Sequence, residues 1–212
     1  MAKFPEPPPT SELRTIPPVE KTLPAGTLLW RIYSRGGRHP TLWSTFRYFG
    51  PLNGRFDHHL PDASGHPHLQ VRGVYYAATD LVTSLAEVFQ ETRTIHRNAT
   101  SQPWMVAFEL ADRISLLDLT TTWPTRAGAS MVINSGPRPR ARRWSRAIYE
   151  AYPHLHGLYS AASMHANRPM VTLYEQARAA FPEHPLIHRP LNDPALLVGL
   201  DRAAVEIGYD VL

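Results

Sequence analysis

The stretch VRGVYYAATDLVTSLAEVFQE, residues 71–91, decides the class of the fold. Val71 to Ala78 reads as a strand. Thr79 or Asp80 is placed to cap a helix running to about Glu91, with Leu81, Leu85, Val88 and Phe89 on one face. Glu87 falls almost opposite that apolar stripe, so the chain puts a carboxylate on the polar side of a helix that directly follows a strand.

Moving outward, Thr27 to Tyr33 alternates Leu28, Trp30 and Ile32 on one face with Leu29, Arg31 and Tyr33 on the other, the pattern of a strand. Trp104 to Leu110 and Ile114 to Leu119 are strand candidates joined by a turn at Ala111-Asp112-Arg113. Pro139 to Tyr152 reads as a helix burying Trp144, Ala147, Ile148 and Ala151, at spacings of three, four and seven. Gly157 to Ala161 and Met170 to Tyr174 read as further strands. Asp193-Pro194 supplies a cap and first turn for a last helix, and Gly208 a stop before a final strand. Residues 35 to 70, rich in glycine, proline and histidine, are too long for a plain connection and are expected to form a functional loop, with Phe46 to Gly50 a short ordered piece inside it. Residues 1 to 25 carry seven prolines and read as an arm without regular structure, mobile or laid along the surface. There is no internal repeat. The expected architecture is α+β: the arm over residues 1–25, then one domain over residues 26–212, a mixed β core with flanking helices.

At 212 residues and 43% hydrophobic content the chain is long enough to bury a substantial core. No run of 18 apolar residues and no signal-like N-terminus is present, so no membrane association is expected and a cytoplasmic location is. Zero cysteines exclude disulfides, thiolate catalysis and cysteine-ligated metals. Lys3 and Lys21 are the only lysines among 22 basic residues. The other basic residues are arginines, which suit bidentate phosphate binding, although a GC-rich genome gives the same skew. Arg138, Arg140, Arg142, Arg143 and Arg146 form a run that reads either as a solvated helix face or as a patch for nucleic acid or an acidic partner.

Four segments carry residues suited to chemistry. Arg55 follows Asn53-Gly54, where glycine lets the backbone approach a ligand, so its guanidinium could clamp a pyrophosphate; a plain surface turn accounts for the tripeptide equally well. Tyr76 could stack on an aromatic base, although strand aromatics are more often core. Glu87 is by default a solvated carboxylate; bordering a cleft, it could stabilise positive charge building on a sugar. Ser160 lacks the G-x-S-x-G elbow of a hydrolase nucleophile and suits ligand positioning. Together, an arginine, a tyrosine, a glutamate and a serine could bind a phosphorylated nucleotide and stabilise a sugar cation. Among the eleven histidines, His58, His59, His66 and His68 cluster with Asp57 and Asp62 without established ligand spacing, so solvated loop histidines are expected and no metal. Neither a P-loop nor a Rossmann glycine motif is present.

In order and spacing these residues resemble the RES family of bacterial toxins, named for its arginine, glutamate and serine. The resemblance rests on Leu29-Trp30-Arg31-Ile32, Asn53-Gly54-Arg55-Phe56, Gly73-Val74-Tyr75-Tyr76 and Ser84-Leu85-Ala86-Glu87, and further on Gly128-Ala129-Ser130, Trp144-Ser145-Arg146-Ala147-Ile148 and Gly157-Leu158-Tyr159-Ser160. It covers about residues 27 to 175. The chain departs from the family where Phe56-Asp57-His58 replaces a more usual tryptophan and asparagine. The resemblance implies a fold similar to ADP-ribosyltransferases and degradation of NAD at the nicotinamide glycosidic bond, with phosphate or water as acceptor. Arg55, Glu87, Tyr76 and Ser160 would then be the catalytic set, and Arg31 would join Arg55, Tyr76 and Ser160 in binding NAD. NAD would be substrate rather than cofactor, with inorganic phosphate a candidate co-substrate. The implied partner is an antitoxin with a helix-turn-helix domain. Transfer of ADP-ribose to a protein ranks second, and nucleic-acid binding or ribonuclease activity third, direct nucleic-acid binding not being expected.

Overall fold

In the computed structural model, which describes residues 4–165 and 168–212, the strand expected from Val71 starts earlier and runs over His68–Ala78. In chain order the elements are α1 (Thr10–Leu13), β1 (Glu20–Leu23), β2 (Leu28–Ser34), β3 (Arg47–Gly50), β4 (His68–Ala78), α2 (Leu81–Val88), β5 (Thr94–Ile95), β6 (Pro103–Glu109) and β7 (Ile114–Asp118). There follow α3 (Trp123–Arg126), α4 (Arg138–Ala151), β8 (Gly157–Ala161), β9 (Pro169–Tyr174), β10 (Ile187–Pro190), α5 (Leu197–Ile207) and β11 (Asp210–Val211). The main sheet has the order β1-β7-β8-β9-β4-β2-β6-β10, with β3 paired to β4. Among the described residues only β7 and β8 run parallel within it; a small parallel pair, β5 and β11, stands apart. The fold is the expected single mixed α/β domain with flanking helices.

Strand alternation sorts the core. Leu29, Tyr33, Tyr75, Val106, Phe108, Leu116, Val171 and Leu173 share one sheet face with Phe46 and Ala177. The opposite face is covered twice: Leu117, Leu158 and Tyr174 pack under α4 through Trp144, Ile148 and Ala151. Ile32 and Met105 pack under α2 and α5 through Leu85, Leu200 and Ala203. Between these two covers β2 and β4 pair at one register position, Trp30 with Ala78. The opening that results is where the functional cleft lies.

The arm differs from expectation. Residues 10–13 are helical and residues 20–23 pair with β7, while Phe4, Leu13 and Leu23 are buried. Phe4 stacks on Trp144, and the Trp144 indole N–H donates to the Pro5 carbonyl at 2.9 Å. Burial of these few apolar residues outweighs the disorder that seven prolines suggest. The helix after β4 also ends at Val88 rather than near Glu91. Val88 is 50% exposed rather than part of the buried stripe, which consists of Thr83, Ser84, Leu85 and Ala86.

Candidate active site

A cavity of about 440 Å³ opens between the covers of α2 and α4 and is lined by Arg31, Arg55, Tyr76, Glu87 and Ser160 together. Its size falls among those of small-molecule sites. Each of these side chains arrives on a different element or loop.

Glu87 stands on the last turn of α2, a helix started by Asp80, whose carboxylate accepts from the Thr83 amide at 2.7 Å. It is half-buried and hydrogen-bonded rather than freely solvated. Its Oε1 accepts from the Ser163 amide at 2.7 Å and the Met164 amide at 3.0 Å, and the Ser163 hydroxyl donates to the same group. A carboxylate bound by two backbone amides is held in one orientation at the cavity wall, the kind of fixed charge that is effective against developing positive charge.

Arg55 lies on the 52–59 loop, which α4 clasps at three points. Arg142 donates to the Leu52 carbonyl at 2.9 Å, the Ser145 hydroxyl to the Phe56 carbonyl at 2.8 Å and Arg146 to the His59 carbonyl at 2.8 Å. The Arg55 guanidinium donates to the Gly136 carbonyl. Burial, then the neighbouring Arg138 charge, pulls Arg55 below the ordinary arginine value, while Glu87 and Tyr76 oppose that. Inside the loop, the buried Asp57 carboxylate accepts from Arg47 at 2.8 Å, the Leu52 amide at 2.6 Å and the His59 ring at 2.5 Å. Burial would raise Asp57, but these donors outweigh it and hold the carboxyl well below the usual range.

Tyr76 projects from β4 opposite Thr172 on β9. Its hydroxyl is buried near the Phe56 backbone without a hydrogen-bond partner among the described residues, and burial pushes its pKa upward, so it stays protonated. Gly54 makes room for it: a Cβ there would fall 2.4 Å from the hydroxyl oxygen. Ser160 is buried on β8 opposite Met170. Arg31 lies at the parting of β2 and β4, with its guanidinium 4.1 Å from the centroid of the Tyr75 ring and a hydrogen bond to the Thr45 carbonyl at 3.2 Å.

Several readings of the residues change. The arginine run is not one solvated face: Arg140 and Arg143 pair with Glu6 of the arm at 3.1 and 2.5 Å, Arg142 and Arg146 hold the loop, and Arg138 lines the cavity. His58 and His59 are fully buried rather than solvated. His58 stacks on Tyr149 with centroids 4.4 Å apart, and His59 bonds Asp57. Among the described residues no three histidine, aspartate or glutamate side chains gather as metal ligands, and no helix is long and apolar enough to cross a membrane. Arg47, Arg138, Gln90, Ser163 and Thr172 also touch or support the cavity and were not singled out as site residues in the sequence. Only Arg138 left a signal there, through its spacing of four and eight to Arg142 and Arg146.

A chain of the crystal structure of the M. tuberculosis MbcT-MbcA toxin-antitoxin complex superposes with a TM-score of 0.56 at 14% identity, over 91% of this chain and 96% of that one. That likeness is one of fold. None of the curated proteins compared matches in sequence. The family model of the RES domain matches residues 28–193, every segment that builds the cavity included, and the chain therefore belongs to the RES domain family.

Proposed function

We propose that the cavity cleaves NAD at the bond between nicotinamide and ribose, with phosphate or water as acceptor, and that the protein acts as a toxin neutralised by an antitoxin. The observation that carries this reading is the convergence of Arg31, Arg55, Tyr76, Glu87 and Ser160 on one cavity whose carboxylate is held by backbone amides. Nicotinamide in NAD is a cationic leaving group. As the C–N bond breaks, its electron pair neutralises the ring and positive charge moves to the ribose. Glu87 faces that charge, Arg55 and Arg31 hold the phosphates, and Tyr76 packs on the nicotinamide ring. Ser160 positions the ribose. The acceptor oxygen then bonds to the sugar carbon and loses a proton to solvent. Positioning and fixed charge carry the reaction, with the hydroxyl of Tyr76 protonated throughout. The antitoxin partner is supported by family membership and by the toxin-antitoxin complex that the fold resembles.

NAD labelled in its adenylate half, incubated with purified protein in lysate with and without added phosphate, tests this. Cleavage is expected to yield a small labelled product, ADP-ribose or its phosphate. Label accumulating on protein instead would replace the proposal with ADP-ribosyl transfer, and intact NAD would remove it.

A further inference from the structure

Four arginines, Arg31, Arg47, Arg55 and Arg138, line the cavity against a single carboxylate, Glu87. Among the described residues Arg47 alone of the four is in an ion pair, with Asp57 at 2.8 Å; Arg31 lies over the Tyr75 ring and bonds backbone carbonyls. Arg55 and Arg138 act on each other. Among the described residues neither makes an ion pair. Arg55 donates to the Gly136 carbonyl, and Arg138 donates to the Gln90 side-chain carbonyl at 2.8 Å. Gln90 in turn donates to the Glu87 backbone carbonyl at 2.6 Å, which fixes Arg138 to the end of the helix that carries Glu87.

Both residues line the same cavity, and the Arg138 charge is, after burial, the largest influence lowering Arg55. Arg138 is also the first residue of α4, a helix of 14 residues, and a cation there stands at the end where the helix dipole favours an anion. Neutral acceptors thus hold two like charges together at the positive end of a helix. An arrangement that is unfavourable when empty becomes favourable around a multivalent oxyanion, and planar arginine forks match phosphoryl oxygens bidentately.

We propose that Arg55 and Arg138 together form a phosphoryl-binding subsite of the cavity, with Arg138 a binding residue for phosphate oxygens. The proposal deepens the NAD-cleavage reading and rests on it for the source of the phosphate, either the pyrophosphate of the dinucleotide or free inorganic phosphate. Arg138 touches none of the atoms in the breaking bond, so its loss acts on binding far more than on the chemical step.

The test uses the full chain as wild type, Arg138→Gln and Arg138→Lys, each checked by thermal melting. Calorimetric titration with inorganic phosphate and with pyrophosphate is run beside nicotinamide release at varied NAD and at varied phosphate. Arg138→Gln is expected to weaken binding of at least one anion by about tenfold or more. Arg138→Lys, which keeps the charge and loses the fork, is expected to fall between it and wild type and serves alone should the glutamine variant not fold. A raised KM for phosphate with an unchanged KM for NAD identifies free phosphate as the ligand; the reverse identifies the dinucleotide's pyrophosphate. Anion affinities and both KM values within about twofold of wild type would overturn the subsite. Anion binding that depends on Arg138 in a protein that leaves NAD intact would support the subsite and remove the NAD reading, so the two fail separately.

Discussion

A methyl group on Gly54 would meet the Tyr76 hydroxyl oxygen at 2.4 Å and its ring carbon at 3.0 Å, so the glycine before Arg55 is needed for space beside a buried tyrosine. Gly54→Ala is expected to cost about 1–3 kcal/mol of stability, the usual range for overpacking a filled site. In a Tyr76→Phe background the closest clash is gone, and the same substitution should cost less. Urea unfolding of the four proteins in a double-mutant cycle checks this, and a coupling energy near zero would contradict the contact. Tyr76 itself was ambiguous as a sequence position, since strand aromatics are usually core. The structure gives both readings part of the answer: the ring forms cavity wall while the hydroxyl is buried.

At the scale of elements, the 52–59 loop is held from inside by Asp57 and from outside by α4, and Arg55 depends on both. Asp57→Asn would leave Arg47 facing an amide in place of a carboxylate. It is expected to cost about 3 kcal/mol, as for other buried pairs broken on one side, and to raise the KM for NAD by loosening Arg55; denaturant unfolding and steady-state kinetics read the two effects. Phe4→Ala removes the ring stacked on Trp144 and is expected to cost about 3 kcal/mol, measurable as a lowered denaturation midpoint; an unchanged midpoint would mean that the arm adds nothing to the fold. Elements with a strong period were legible in the sequence. In α4, Trp144, Ala147, Ile148 and Ala151 are buried as their spacing requires, and β8 runs over Gly157–Ala161 as read. The strands β1 and β10 were not legible, because edge strands are held by backbone pairing and need no apolar alternation. Three of the four residues of β1 are exposed, and β10 ends in a proline. The burial of His58 and His59 was equally hidden, since Tyr149 and Tyr174, which cover His58, are brought to it only by the fold.

For the whole molecule the buried polar layer beneath the cleft sets the response to acid. His58 is fully buried with its Nε2 3.8 Å from the Glu175 carboxylate, and burial pushes its pKa below the ordinary value. Burial would raise Glu175, but the facing His58, the Tyr149 hydroxyl and the Gly73 amide outweigh it and hold the carboxyl at about 2. Both shifts are downward, so in both cases the unfolded chain takes up its proton first as pH falls. The contribution of His58 begins to fade below the unfolded histidine value, and that of Glu175 is complete above the unfolded glutamate value and lost toward pH 2. Stability is therefore expected to decline steadily from neutral pH into acid. The difference in unfolding free energy between wild type and Glu175→Gln should narrow by about 2 kcal/mol between pH 6 and pH 3, and a difference independent of pH would contradict the assignment. At the same scale, the sheet opening between β2 and β4 brings residues from five parts of the chain to one wall. Their order along the sequence pointed to that meeting only through the family resemblance, and neither the place of Arg138 in the cavity nor the amides that hold Glu87 could be read without the fold.

The most direct measurement is nicotinamide release from NAD by the purified, partner-free protein, with Glu87→Gln run in parallel. Release by wild type that falls by about 10²–10³-fold in the variant, the usual loss when one fixed charge-stabilising group is removed, is the expected result. Absence of release from well-folded wild-type protein, or equal release by the two proteins, would contradict the account of the cavity as an NAD-cleaving site.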